Sequence, residues 1–237
     1  MMKESPIIFS GPMVRAVLNT KPGVWPAEPI DPSRPYKCMT RRVIKPRYRN
    51  GEIGFEVSRG LPGTSISIVD EEGRHTREEE PRFWPGDILW VRETWARADD
   101  HYVYLADYPI GLWPCKMRPS IYMPREASRI TLEVKDVRIE RLREITPYDA
   151  CCEGILVELP PVLQGSQEYP EGFDKWSKDR RDKWFKSLAR AKYIAECDVM
   201  EKLVQGFHNF WDKLNAKRGY PWGSNPWVYV IEFMRRA

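Results

Sequence analysis

Two segments of the chain place apolar residues at helical spacing. Residues 13–18 carry an apolar face just after Ser10, which can cap the free amides of a helix, and after Pro12, which is tolerated in a first turn. Residues 207–214 repeat the spacing with aromatic and leucine side chains. The pattern predicts two amphipathic helices, and we expect the whole second stripe, including Leu214, to pack in the core.

Other segments show strand patterns. The longest, residues 128–142, alternates apolar and polar positions, and its phase changes near Asp136. Such a break predicts a β-bulge, which bends a long strand. The remaining predicted strands are residues 37–44, 88–91, 102–105 and 227–233.

A short helix is predicted between Thr146 and Gly154. Thr146 and Asp149 have the spacing of a capping box, and Gly154 is placed to end the helix. Glu153 therefore lies at the helix C-terminus, where the helix dipole disfavours a carboxylate. Because Glu153 occupies a position that is unfavourable for a carboxylate, we expect it to have a role other than stabilising the helix.

Three segments interrupt these elements. Residues 20–36 contain five prolines and predict an irregular loop. Residues 47–82 are polar and predict a surface hairpin insertion, and residues 156–205 predict a charged, partly helical insertion. The order of elements predicts an α+β fold with a curled sheet, formed as a single domain over residues 1–237.

Composition narrows the class of protein. Hydrophobic residues make up 42% of the chain, which supports a core, and the net charge of +4 means that any basic patch is local. No apolar run reaches the roughly 18–20 residues of a membrane span, and no secretory signal is visible. We therefore expect a soluble, cytoplasmic protein without a membrane partner.

The cysteine and histidine positions give little support for a metal site or a cofactor. The five cysteines form no CxxC pair, and the three histidines lack HExxH or Cys/His spacing. The pattern predicts reduced thiols, no zinc site and no cofactor, while a Mg²⁺ ion held by carboxylates stays open. Ten tryptophans can stack on bases, but core and rim packing is the favoured interpretation for any one of them.

Three blocks together resemble the ASCH family. The first runs from Lys37 through Thr40 to Arg42, the second covers the Pro-Gly-Asp turn and strand of residues 85–95, and the third joins the helix end at 149–155 to the closing strand at 229–233. Residues 118–125 are similar to the larger phage and prophage members. The resemblance implies a PUA-like curled β-barrel whose pocket handles a nucleoside, a modified nucleobase or a single-stranded nucleic acid.

The resemblance also implies a site. Some small ASCH proteins are amidohydrolases that remove an acyl group from N4 of cytidine with a lysine, a threonine three residues later and a glutamate. These roles fall on Lys37, Thr40 and Glu153. Lys21 competes for the lysine role, but a hydroxyl three residues on favours Lys37, and the proline-rich loop between them becomes a candidate lid.

The implied chemistry is coherent. A threonine hydroxyl needs an adjacent base, and burial together with Arg41 and Arg42 would lower the pKa of Lys37 enough to supply one. Glu153 would protonate the departing amine. The alternative is a structural ion pair between Lys37 and Glu153, with Thr40 an ordinary strand residue.

Further residues are candidates for substrate binding. Arginines predict a phosphate-binding rim or, alternatively, ordinary surface ion pairs. Glu93 either points into the pocket or braces the core. The candidates are Arg41, Arg42, Arg92, Arg118 and Arg125, with Trp90 and Trp113 for base stacking. The function classes left open are an amidohydrolase, a non-catalytic binder of RNA, DNA or a modified base, and a nuclease.

Overall fold

A computed structural model describes most of the chain. It covers residues 3–23, 32–34, 36–49, 52–59, 64–79, 81–109, 112–113, 115–164 and 170–237. Most of the proline-rich loop, and with it the predicted lid, lies outside the described residues. Among the described helices, none is both long and apolar enough to cross a membrane.

The central element is a five-stranded sheet. Its order is β1-β6-β9-β10-β2, in which β1 runs parallel to β6 and the other pairs are antiparallel. The strands are β1 (Glu4–Ile8), β2 (Met39–Val43), β6 (Ile88–Arg92), β9 (Thr131–Arg141) and β10 (Trp227–Arg235). The terminal strand thus lies inside the sheet rather than at its edge, and the α+β class is confirmed.

The predicted phase change in β9 is a bulge. Val134 and Asp136 pair with the consecutive residues Phe233 and Glu232, so Lys135 is the extra residue. Side chains of a strand alternate between its two faces, so one extra residue moves the buried positions from even-numbered to odd-numbered residues. The bulge therefore explains the sequence pattern.

The two edges of this sheet approach each other without pairing. The Arg42 guanidinium of β2 donates to the carbonyl oxygen of Ile8 in β1 at 3.2 Å. The Lys37 Nζ atom lies 5.4 Å from the centroid of the Phe9 ring, just beyond β1. The sheets described here are not closed into a barrel, so these contacts come from side chains that bridge two open edges.

Helices cover both faces of the sheet. In β10, Ile231 and Phe233 face a core that includes the helix α1 (Gly11–Leu18). Val228 and Val230, at alternate positions, face a second core shared with the two other helices. These are α2 (Pro147–Cys152) and α3 (Lys178–Asn215).

Smaller sheets account for the remaining strands. A three-stranded antiparallel sheet, β3-β4-β5, fills much of the range expected to hold a hairpin, and its Ile66 and Ile68 pack against Ile44 and Ile139. Its strands are β3 (Glu52–Arg59), β4 (Thr64–Asp70) and β5 (His75–Glu79). A further hairpin joins β7 (Trp95–Ala98) to β8 (His101–Tyr104).

Two helix predictions need correction. The Ser10 side chain makes no capping hydrogen bond, although α1 starts where expected. The helix predicted at residues 207–214 is the end of the 38-residue α3. Phe207 and Trp211 are buried, but Leu214 is 41% exposed because it lies beyond the last turn that packs on the second core.

Gly206 sets how closely α3 approaches the segment after α2. A Cβ atom at this position would lie 2.7 Å from Ile155 Cγ2. Alanine normally stabilises a helix interior by about 1 kcal/mol relative to glycine. We expect Gly206→Ala to lower the free energy of unfolding instead, because overpacking costs about 1–3 kcal/mol. Urea unfolding measures this free energy.

The matched background is Ile155→Ala, which removes the methyl group in question. In that background Gly206→Ala should be neutral or stabilising. Destabilisation of equal size in both backgrounds would show that the close contact is not the cause.

Candidate functional site

The end of α2 holds Glu153 in place. The Thr146 side chain accepts a hydrogen bond from the Asp149 amide at 3.1 Å, and the Asp149 carboxylate accepts one from the Thr146 amide at 3.3 Å. This confirms the predicted capping box. Gly154 ends the helix with φ +94°, a conformation that suits glycine. Glu153 therefore follows the last helical turn in a fixed orientation.

Lys37 is buried beside this helix end. The Cys38 amide donates to the Cys152 carbonyl oxygen at 3.0 Å, which fastens the chain before β2 to α2. The Lys37 ammonium then donates to the Met39 carbonyl at 2.8 Å, to the Glu153 carbonyl at 2.9 Å and to Glu153 Oε2 at 2.9 Å. Since an ammonium has three N–H donors, its hydrogen-bonding capacity is fully used.

Two opposing effects act on the pKa of Lys37. Burial disfavours the charged form and lowers the pKa below its usual value, and Arg42 acts in the same direction. The Glu153 carboxylate opposes both effects by attraction and by its hydrogen bond. Of the two lysines considered for the role, only Lys37 is buried, whereas Lys21 is exposed.

Thr40 lies in β2 opposite Ile231 and is buried. Within the described part of the chain its hydroxyl makes no hydrogen bond, so it is not engaged by Lys37 in this state. Its assignment as nucleophile stays a prediction. The same strand places Thr40 and Arg42 on one face and Met39 and Arg41 on the other, because alternate residues of a strand face opposite sides.

Arg41 is the centre of a buried ionic cluster. Its NH2 atom lies 2.8 Å from Asp149 Oδ2 and 3.2 Å from Glu140 Oε2, and its NH1 atom lies 3.5 Å from Glu153 Oε1. Arg138 adds a second cation to Asp149. Arg41 is thus inside the protein and is not part of an open rim.

Two buried polar atoms in this cluster lack a hydrogen bond. They are Glu153 Oε1 and Arg41 Nε. The 3.5 Å separation between Glu153 Oε1 and Arg41 NH1 counts as ionic attraction, but it forms no hydrogen bond. Buried polar atoms of native proteins are nearly always paired, so an unpaired one calls for an explanation.

The remaining arginines of the predicted rim lie at separate places. Arg42 is exposed at the open edge of β2. Arg92 and Arg125 both lie over the Trp90 ring, at 4.7 and 5.8 Å from its centroid. Trp90 is mostly buried under them and offers no open stacking face. Arg118 lies over a different ring, that of Trp95, at 5.4 Å.

Glu93 is buried and forms an ion pair with Arg129. Its carboxylate accepts two hydrogen bonds from Arg129, at 2.9 and 3.0 Å, and Arg129 also pairs with Asp107 at 2.8 Å. Burial raises the pKa of Glu93 above its usual value, and the Arg129 guanidinium opposes that shift. Trp113 is 53% exposed, and no described contact joins it to Lys37.

Sequence reasoning missed several partners of these residues. Glu140, Asp149 and Arg129 complete the ionic contacts of Arg41 and Glu93, and only Asp149 carried a signal in the sequence, its capping role.

A cavity of about 860 Å³ is lined by Pro32, Ser33 and residues of the 156–164 segment, and it includes none of the three predicted catalytic residues.

All five cysteines are free thiols, as predicted. In the described ranges no cluster of three His, Cys, Asp or Glu residues has the geometry of a metal site.

Comparison with known proteins adds no assignment. No protein-family model, curated protein or solved structure matches this chain significantly.

The buried pair makes a sharp prediction for stability. Lys37→Met leaves the Glu153 carboxylate without its ammonium, and removing one member of a buried pair costs about 3–5 kcal/mol. The double variant Lys37→Met/Glu153→Leu removes both charges and should cost much less than the sum of the single variants. Urea unfolding of the four proteins measures this coupling.

Lys21→Met is the matched control. It changes an exposed lysine, so we expect a difference within about 0.5 kcal/mol. Single variants at Lys37 and Glu153 that simply add in the double variant would contradict the pair described above.

Proposed function

We propose that this chain is an ASCH-type protein of PUA-like architecture that binds a modified nucleobase at Lys37, Thr40 and Glu153. N4-acylated cytosine is the preferred ligand. The observation that carries the proposal is the unpaired buried oxygen Glu153 Oε1 beside the Lys37 ammonium. The three blocks that resemble the ASCH family support it.

The polar atoms suit the edge of a base. Glu153 Oε1 is an acceptor without a donor, and the N–H group of an acylated exocyclic amine supplies one. The free Thr40 hydroxyl can donate to the acyl carbonyl oxygen or attack its carbon. Lys37 and Glu153 are both buried, so a base reaches them only after the residues that cover them move aside.

The proposed hydrolytic route uses Lys37, Glu153 and Thr40, although no described contact joins Thr40 to the other two residues. A proton moves along the 2.9 Å hydrogen bond from Lys37 Nζ to Glu153 Oε2, which gives a neutral amine and a carboxylic acid. Thr40 Oγ1 then attacks the acyl carbon and its proton passes to Lys37. As the C–N bond breaks, Glu153 protonates the departing amine. Water finally hydrolyses the acyl ester on Thr40, which restores the enzyme.

Binding without turnover is the second candidate. It is favoured by the three hydrogen bonds that Lys37 donates, because they stabilise the ammonium form, which has no lone pair to accept the Thr40 proton. The lowered pKa of Lys37 favours the enzymatic route, since it reduces the energy needed to form the neutral amine.

Thr40→Val separates the two candidates. Valine keeps the shape of the side chain, and the lost hydroxyl makes no hydrogen bond with any residue that the structure describes, so the variant should remain folded. If Thr40 is the nucleophile, release of cytidine from N4-acetylcytidine should fall at least a hundredfold, while affinity for the nucleoside changes little. Chromatography of the products and calorimetric titration measure the two quantities.

The matched control is Thr131→Val, a half-buried strand threonine of β9. It should behave as the unmodified protein in both assays. Tight binding without any cytidine release by the unmodified protein would establish the binding function instead. If the unmodified protein neither binds the nucleoside nor releases cytidine, the proposed site is wrong.

A further inference from the structure

The positive charge of this protein is concentrated in the first half of α3. Residues 178–192 contain seven Lys or Arg and two Asp, a net charge of +5, whereas the whole chain carries +4. The remaining 222 residues together carry −1. Between Lys183 and Ile194 there is no acidic residue at all. We name residues 178–194 the basic arm.

The basic arm extends away from the second core. The first buried residue of α3 is Val199, 21 residues after Lys178, which at 1.5 Å per residue is about 31 Å along the helix axis. Before that point no described side chain of α3 is fully buried, although Trp184, Leu188 and Lys192 are half-buried. The first half of α3 therefore packs against the rest of the protein less closely than the second half.

The start of the arm is held by an aromatic cluster. The Phe173 ring centroid lies 5.3 Å from Trp176, 5.1 Å from Trp184 and 5.7 Å from Phe185. Ser177 caps the helix by accepting a hydrogen bond from the Arg180 amide. These contacts fix the helix end before any partner binds, which reduces the entropy lost on binding.

One face of the arm presents unneutralised cations. Lys183, Lys186 and Arg190 follow the spacing i, i+3, i+7 and so share a face. All three are exposed, and none forms an ion pair with a described residue. In the other half of α3, by contrast, Lys202 pairs with Asp198 at 2.7 Å.

The same face carries two exposed apolar side chains. Tyr193 is 67% exposed and Ile194 is 57% exposed, and both lie about one helical turn after Arg190. A cationic face with an accessible aromatic ring matches the chemistry of single-stranded nucleic acid, in which phosphates meet cations and a base stacks on the ring. A duplex hides its bases from such a ring.

We propose that the basic arm binds single-stranded nucleic acid, with backbone phosphates on Lys183, Lys186 and Arg190 and a base stacked on Tyr193. This surface is separate from the buried pair of Lys37 and Glu153. The proposal therefore stands or falls independently of the proposed function.

Salt dependence gives the first test. Three phosphate contacts on a single strand contribute about −2 to the slope of log affinity against log salt concentration. The triple variant K183E/K186E/R190E should lose most of that slope and at least tenfold in affinity at low salt. Fluorescence anisotropy of a labelled mixed-sequence oligonucleotide, with the full-length protein, measures both.

The control variant is R143E/K213E/K217E, which changes the net charge equally at exposed residues outside the arm. It should keep the slope of the unmodified protein. Equal loss of affinity in the two triple variants would overturn the proposal, since the effect would then reflect net charge alone. Circular dichroism checks that α3 remains helical in both.

Tyr193 gives the second test. Tyr193→Ala should weaken binding of the single strand about tenfold through lost stacking, while Tyr193→Phe should retain it. A duplex of the same length, heparin and vesicles containing anionic lipid are the competitors. If any of them binds the arm as tightly as the single strand, or if Tyr193→Ala has no effect, the proposal is wrong. Thr40→Val should leave this binding unchanged.

Discussion

The burial of Lys37 constrains the rest of the structure. A lysine ammonium removed from water is stable only when it is paired and fully hydrogen-bonded. Its three acceptors come from the start of β2 and the end of α2, and the Glu153 carboxylate is 116 residues away in sequence. The sheet and the helices on its second face must therefore assemble together before this charge is satisfied.

The ionic cluster around Arg41 extends the same constraint. Arg41 joins β2 to β9 through Glu140 and to α2 through Asp149, and it also approaches Glu153. One carboxylate oxygen remains without a hydrogen bond even so. An unpaired buried oxygen is unfavourable, and a ligand that donates a hydrogen bond to it recovers that energy. On this basis we propose that the network which braces the fold also binds a ligand.

Local signals in the sequence predicted much of the fold. The capping box of α2, the phase change at the bulge of β9 and the alternation in β10 each reflect the geometry of one element, and each is present in the structure. Strand β1 was missed because its five residues include Pro6 and a glutamate, which are tolerated there only because the strand lies at a sheet edge. The continuity of α3 was missed because its first half is highly charged and contains no fully buried residue.

In the candidate site, too, features with a local sequence signal were predicted and features without one were missed. The burial of Lys37 and Glu153 agrees with the sequence pattern, but the partners of Arg41 lie 99 and 108 residues away and have no local signature. For the same reason, Arg41 and Trp90 were expected at an open rim. Pairing across such distances is decided by tertiary packing, which a residue pattern does not encode.

We propose that the buried Lys37 ammonium, bonded to Glu153, receives the base. Nuclear magnetic resonance of the protein with ¹⁵N-labelled lysine tests this most directly. We expect one ammonium signal that exchanges slowly with water, disappears in Lys37→Met and shifts when N4-acetylcytidine is added, while the exposed lysines do not respond. A Lys37 signal that exchanges as fast as the others, or that ignores the nucleoside, would contradict the account.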